Sequence, residues 1–398
     1  VIDVDAERAA TPGCAVGIHL NSAGASLPRQ ATVDTVVAHL QRESRHGGYE
    51  AAQQVEAELL GVREVAGALL GAHPGEIAIT GSDTEGWTRA IWGFALCGGF
   101  EKGKRILVDR LCYDSHYIGL LRVAEAVEAT IDVVPSEPDG TIDLGALELA
   151  LAFDNVALVA ATHVGTHRGL VNPVGEIGFS CRRAGVPFFL DACQSVGQLP
   201  VDVGEIGCDV LTATGRKWLR APRGTGLLYV HNDLARRLRP LGTDGRSSEW
   251  IDRTDYRFAT GADRFMEFEA PVANILGLGE AISHALDLGV AAIAERVQEL
   301  AEYLRTSLST LEGLTVHDGG TVRSGIVTFS IEGTGSDDIA RRCGLSGISV
   351  WTSQLSAALL DASPLRPEVV VRASPHYFNT HAELDRLADV LSDISTGT

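Results

Sequence analysis

Basic charge is scarce in this chain. Of its 398 residues, 33 are Lys or Arg against 52 Asp or Glu, a formal net charge of −19, which argues against nucleic-acid partners and an anionic membrane surface and leaves only a local basic pocket open. Paired cysteines are also missing. The seven thiols (Cys14, Cys97, Cys112, Cys181, Cys193, Cys208 and Cys343) show neither a CxxC nor a Cys/His spacing of the zinc type, so they read as reduced and mostly buried, with no metal site. The opening residues Val1-Ile2-Asp3-Val4-Asp5 lack a basic region followed by an apolar stretch. The expectation is a cytoplasmic chain with no membrane partner. No internal repeat or low-complexity tract is visible.

What the chain has is apolar material, 45% of its residues, enough for a sizeable core and two domains. From residue 76 onward, short β-branched runs alternate with longer amphipathic segments, the pattern of βαβ units and a mostly parallel sheet. Seven strands are predicted near 77–80, 105–109, 130–134, 156–162, 187–191, 210–214 and 226–230, with helices near 84–97, 115–127, 143–152 and 174–185. No helix separates the last two strands. Residues 240–262 are glycine-rich and polar, and read as a long loop that overhangs a site. Helices near 272–288 and 291–311 then lead into a smaller α/β unit, with strands at 325–331, 348–353 and 369–373 and helices at 336–343 and 380–394. The domain reading is a large α/β domain over 20–265 and a small one made of 1–19 and 266–398 with linking helices.

Three segments carry chemistry. In Thr212-Ala213-Thr214-Gly215-Arg216-Lys217-Trp218 a lysine directly follows a buried strand. A desolvated amine beside another cation gives up its proton more readily, and a neutral amine attacks carbonyls, which is Schiff-base chemistry; the bland reading is a solvated surface charge. In Phe188-Phe189-Leu190-Asp191-Ala192-Cys193-Gln194 an aspartate ends an apolar strand. A buried carboxylate needs a cationic partner, which the pyridine nitrogen of pyridoxal 5′-phosphate (PLP) supplies, and Gln194 then reaches the phenolic oxygen; the alternative is a helix N-cap. In Thr80-Gly81-Ser82-Asp83-Thr84-Glu85 a strand opens into a helix whose N–H groups and Thr84 hydroxyl suit a phosphate, although any ordinary helix start looks similar.

Taken together with Val196-Gly197-Gln198-Leu199-Pro200-Val201-Asp202 and Arg372-Ala373-Ser374-Pro375-His376-Tyr377-Phe378-Asn379-Thr380, these segments resemble, in order and spacing, class V aminotransferase-fold enzymes, the group of cysteine desulfurases and isopenicillin N epimerase. The resemblance runs from about Leu20 to about Ile394. It implies a PLP-dependent transferase fold of type I and a homodimer acting on a small amino-acid substrate. It makes Lys217 the Schiff-base lysine and catalytic acid/base, Asp191 the pyridine-nitrogen partner and Gln194 the phenolate-oxygen partner. Asp83, Thr84 and Thr214 fall on phosphate-binding positions, with Arg216 where relatives usually have histidine. Tyr113 aligns with the aromatic residue stacked on the cofactor ring, and Thr166 stands where relatives often have asparagine. For the substrate, Arg372 aligns with the arginine that takes the α-carboxylate, and Asn21 with a segment whose backbone lines the pocket.

Two departures narrow the reaction. The segment Val350-Trp351-Thr352-Ser353-Gln354-Leu355-Ser356 holds no cysteine to receive sulfur, which disfavours transfer to an enzyme thiol. Around Arg264-Phe265-Met266-Glu267-Phe268-Glu269 the family's Gly-Thr pair, which reaches a partner subunit's phosphate, is missing, and Glu269 would repel a phosphate. At whole-chain level the sequence resembles the carbon-sulfur lyases of actinobacterial ergothioneine biosynthesis, which act on hercynylcysteine sulfoxide. That likeness implies β-elimination: Lys217 takes the α proton, the β carbon expels a sulfenate, and pyruvate and ammonia follow. The substrate's trimethylammonium end favours an aromatic or acidic wall, for which Trp351, Tyr377, Trp250 and Glu269 are the expected residues. Two rival readings stand beside it: an amino-acid epimerase using the same Lys217 and Asp191, or a cysteine desulfurase-like enzyme. A non-catalytic nucleotide binder is remote, because no G-x-G-x-x-G follows the first strand.

Overall fold

A computed structural model describes residues 2–361 and 368–396; residue 1 and residues 362–367 and 397–398, all assigned above to the small domain, lie outside the described residues. Seven apolar runs form the main sheet: β1 (Ile77–Thr80), β2 (Arg105–Val108), β3 (Thr130–Val133), β4 (Val156–Thr162), β5 (Phe188–Asp191), β6 (Val210–Thr214) and β7 (Gly226–Val230). Their order across the sheet is β1-β7-β6-β5-β4-β2-β3. The pairs from β3 through β6 are parallel, whereas β7 is antiparallel to both β6 and β1. This follows from the missing helix between β6 and β7, since a parallel pair needs a crossover.

Most of these strands are buried along their whole length, because both sheet faces are covered. Phe188 and Leu190 enter one apolar cluster and Phe189 the opposite one, which is why their sequences read as continuous apolar runs instead of alternating ones. On one face lie α2 (Glu56–Leu70), α5 (Leu144–Leu151), α6 (Val174–Ala184) and α7 (Val272–Leu288); on the other lie α3 (Asp83–Leu96) and α4 (Asp114–Val127). A further helix, α1 (Gln30–His46), packs on α7. Since Ile275, Leu278 and Ile282 of α7 share a cluster with β5 and β6, this helix belongs by packing to the large body.

The second body is a four-stranded antiparallel sheet. It comprises β8 (Leu314–Val316), β9 (Val327–Ile331), β10 (Trp351–Gln354) and β11 (Val369–Ala373) in the order β8-β9-β11-β10, and a third cluster joins it to α8 (Val290–Ser309), α9 (Ser336–Leu345) and α10 (His381–Thr396). The chain's beginning is tied to it, for Ile18–His19 pairs in parallel with Ile348–Ser349. That pairing also breaks the strand expected over 348–353: residues 348–349 serve Ile18–His19, and β10 starts afresh at Trp351 in the four-stranded sheet.

Residues 240–262 also differ from the expected loop. Ser248–Trp250 and Tyr256–Phe258 form an antiparallel hairpin, and a 3-10 turn covers Gly261–Phe265. The intervening turn is held by the Asp252 carboxylate, which accepts from the Thr254 N–H at 2.8 Å. Among the described residues no single helix is long and apolar enough to cross a membrane.

Candidate active site

The carboxyl ends of β1, β2, β4, β5 and β6 lie on one edge of the sheet, where ligands of open α/β folds bind. A cavity of about 590 Å³ opens there, and the residues expected to hold the cofactor and the substrate carboxylate line it: Asn21, Asp83, Thr84, Tyr113, Thr166, Asp191, Gln194, Thr214, Arg216, Lys217 and Arg372.

The turn from β1 into α3 forms one wall. Ser82 caps the helix by accepting from the Glu85 N–H at 3.1 Å, and the Glu85 carboxylate accepts from the Gly81 N–H at 2.7 Å. The first N–H groups of α3 keep the free donors that every helix start has, with the positive end of the helix dipole behind them. Thr84 adds a hydroxyl, which donates to Ser115 at 3.3 Å. Close packing demands glycine opposite: a Cβ on Gly226 at the start of β7 would lie 2.6 Å from the Ser82 carbonyl carbon. The turn after β6 makes a similar demand, since a Cβ on Gly215 would meet the Thr225 hydroxyl at 2.3 Å. That turn presents Arg216, whose guanidinium donates to Thr214 at 3.2 Å, and then Lys217.

Beneath the floor, Asp191 at the end of β5 accepts from the Cys193 N–H at 2.9 Å. The sequence reading missed its neighbour. His116 on α4 is 1% exposed and stands between two carboxylates, with Nε2 2.7 Å from Asp83 and Nδ1 3.1 Å from Asp191. Burial opposes a charged ring, yet the two carboxylates outweigh it and raise His116 well above its usual range; Asp83, despite burial, is held low by His116. The side chain of Asp83 therefore serves His116. What it can offer a phosphate is its backbone N–H.

Gln194 is locked from three sides. Its Nε2 donates to the Ala23 carbonyl at 3.1 Å and to the Thr166 hydroxyl at 3.2 Å, and its Oε1 accepts from the Trp218 indole at 2.9 Å. Thr166 also accepts from Arg372 at 2.8 Å, so one hydroxyl joins Gln194 to Arg372. Arg372 sits on β11 of the small sheet, level with Trp351 of β10. It is 6% exposed, its Nε has no hydrogen-bond partner among the described residues, and the charges acting on it are those of Tyr113 and Arg216. Burial lowers it to about 10, which leaves it protonated at neutral pH. A buried guanidinium without a carboxylate is fitted to receive one.

Of the four residues expected at a distal wall, only Trp351 lines the cavity, with 57% of its surface exposed at the mouth. Tyr377 is buried elsewhere and its hydroxyl binds Arg220 at 2.5 Å, because that arginine is enclosed by Tyr377, Phe378 and Thr11. Trp250 is 80% exposed on the hairpin, and Glu269 lies in a separate groove beside Tyr49 and Phe268. Arg223 at the rim was also missed.

The family model for class V aminotransferases matches residues 18–387. The chain belongs to the class V aminotransferase family. A probable hercynylcysteine sulfoxide lyase of Mycobacterium tuberculosis is 31% identical over 396 residues, covering 99% of this chain and 94% of the relative. A probable cysteine desulfurase of Halalkalibacterium halodurans is 32% identical over 308 residues, 77% and 75% of the two chains. In fold, an apo cysteine desulfurase from Thermococcus onnurineus superposes with a TM-score of 0.91 at 22% identity, over 99% of this chain and 98% of that one. This member of the class V family is a PLP-dependent enzyme of the cysteine desulfurase and carbon-sulfur lyase kind, and with that the nucleotide-binder reading falls. The cavity suits the cofactor: Lys217, Arg216, Arg223 and Arg372 bring four cations to it, enough for a phosphate and a substrate carboxylate, and the buried Asp191 adds a carboxylate of the kind a cationic ring calls for.

Proposed function

We propose that this family member is a carbon-sulfur lyase that performs β-elimination on a cysteine S-conjugate sulfoxide, with hercynylcysteine sulfoxide as substrate. When bound, PLP supplies an aldehyde for amines and a cationic ring that stores the electron pair released at an α carbon. The chain's own groups divide the remaining work. Lys217 would hold the cofactor through its amine, and the same amine would take the substrate's α proton. Asp191 would partner the ring nitrogen, Gln194 the phenolic oxygen, and Tyr113 one ring face. The start of α3 with Thr84, together with Thr214 and Arg216, would take the phosphate. Arg372 clamps the α-carboxylate, and Asn21 closes that end. The β carbon-sulfur bond then breaks with its electron pair leaving on sulfur as a sulfenate, and the three-carbon remainder departs as aminoacrylate, which one water molecule hydrolyses to pyruvate and ammonia.

One observation carries the choice of lyase. Sulfur transfer to the enzyme requires a thiolate in the cavity, and the only thiol lining it among the described residues is Cys193, which burial and Asp83 push well above the usual thiol range. The segment above the cavity, Trp351–Asp361, contains no cysteine. A sulfoxide needs no such thiol, because the oxidised sulfur leaves as a stable anion. The whole-length relative named as a probable hercynylcysteine sulfoxide lyase supports the substrate, as does Trp351 at the mouth, an aromatic face suited to a trimethylammonium group.

The test is incubation of the holoenzyme with hercynylcysteine sulfoxide, S-methylcysteine sulfoxide and free cysteine, followed by pyruvate measurement. Hercynylcysteine sulfoxide should give the highest kcat/KM. Absence of pyruvate from all three would refute elimination, and an inverted α carbon without pyruvate would indicate an epimerase. A homodimer in the cytoplasm completes the reading. It is supported by seven unpaired cysteines and by the exposed rings of Tyr49 and Phe268 at an apolar groove, and sedimentation at the mass of a single chain would refute the dimer.

A further inference from the structure

Beneath the cavity floor Asp83 opens α3 and Asp191 ends β5, yet their carboxylate oxygens lie within 4.8 Å of each other. Two such charges in a buried site cannot both remain ionised without a cation between them. His116 occupies that place. Nε2 is hydrogen-bonded to Asp83 at 2.7 Å, and Nδ1 stands 3.1 Å from Asp191 as an ion-pair contact without hydrogen-bond alignment, a place between two carboxylates that favours the cation. The ring cannot turn away, because it stacks on Trp87 with centroids 4.3 Å apart and planes 27° apart, and the Trp87 indole donates to the His116 carbonyl at 3.3 Å. The three side chains together carry one net negative charge.

We propose that His116 is a positioning residue that acts through Asp191: as a fixed cation between Asp83 and Asp191, it keeps both carboxylates ionised and leaves the floor one net negative charge, the complement of a protonated pyridine nitrogen. The role concerns how the cofactor is held and is independent of which substrate enters above it.

Charge parity gives the test, read as the affinity of apo-protein for PLP and not as activity. His116→Gln keeps a hydrogen-bond donor but removes the cation, so one carboxylate takes up a proton and affinity falls by about tenfold or more. Asp83→Asn leaves the imidazolium with Asp191 as its only carboxylate, in competition with the pyridine nitrogen, and affinity falls as well. The double variant restores a lone negative Asp191 and should return to within about threefold of the parent, a coupling that independent sites would not show. A double variant as weak as either single variant would overturn the proposal, since a packing role predicts accumulating losses. If His116→Gln does not fold, the Asp83→Asn and double variants still decide the sign. A measurement on the unaltered apo-protein stands beside them: nitrogen NMR with labelled histidine at about pH 8 should show one ring protonated at both nitrogens, where an ordinary histidine is neutral. A neutral His116 ring there also overturns it.

Discussion

Replacing Arg372 by methionine should make the protein more stable and less able to bind substrate. The guanidinium is 6% exposed, and among the described residues it donates to a single neutral hydroxyl and has an unpartnered Nε. Without substrate, this charge carries a desolvation cost that nothing nearby repays. Exchanging poorly compensated buried charge for an apolar side chain of similar volume stabilises by about 1–4 kcal/mol. For a chain of this length each kcal/mol moves the melting temperature by about 1 °C, so thermal melts of the apo-protein should rise by about 1–4 °C. Catalysis should move the other way. Removing one partner of a buried pair costs about 2–5 kcal/mol, or roughly 30-fold to several thousand-fold in kcat/KM for pyruvate formation. A lower melting temperature for Arg372→Met would mean that the guanidinium is compensated within the protein. An unchanged kcat/KM would mean that the carboxylate is held elsewhere.

Lys217→Ala should lower turnover by about a thousandfold or more, since it removes the acid/base, and borohydride should no longer fix cofactor to the protein; full activity would sink the mechanism. Trp351→Ala should weaken hercynylcysteine sulfoxide by up to about 2 kcal/mol while leaving KM for S-methylcysteine sulfoxide unchanged, because only the former carries a cation to place on the ring. Asp109 should give stability a pH slope: burial, with the Asp191 carboxylate adding to it, raises this carboxyl from 3.8 to about 8. A carboxyl raised in the folded state binds its proton more tightly there than in the unfolded chain, so its contribution is full below 3.8 and is lost as pH climbs towards about 8. Denaturation of Asp109→Asn across this window should show a flatter slope than the parent, and an identical slope would refute the assignment.

The main sheet was legible because most of its strands are buried on both faces and appear as mainly apolar runs ended by glycine or a polar turn, the exposed edge strand β3 being the exception. Strand β8 and the 248–258 hairpin were not. Both are short and partly exposed, and their sequences carry no more apolar bias than a loop. Lys217, Asp191 and Gln194 could be read because each follows a buried strand at a fixed offset, and strand ends converge on one edge. His116 escaped because one histidine in a helix carries no periodic signal; its meaning comes from Asp83 and Asp191, 33 and 75 residues away in sequence. Tyr377, Trp250 and Glu269 show the opposite failure. Their chemistry suits a cationic substrate, but residue type says nothing about which way a side chain faces.

On the proposed function, the rung that sets Arg372 opposite Trp351 would divide the labour of recognition between two adjacent strands. The amino-acid end, common to every cysteine conjugate, would be gripped by a residue fixed in the middle of a sheet between β9 and β10. The variable end would meet a residue at the start of a strand, more than half exposed. Position 351 can therefore drift to suit a different sulfur substituent without disturbing the grip on the carboxylate, and the same framework can change customers one side chain at a time.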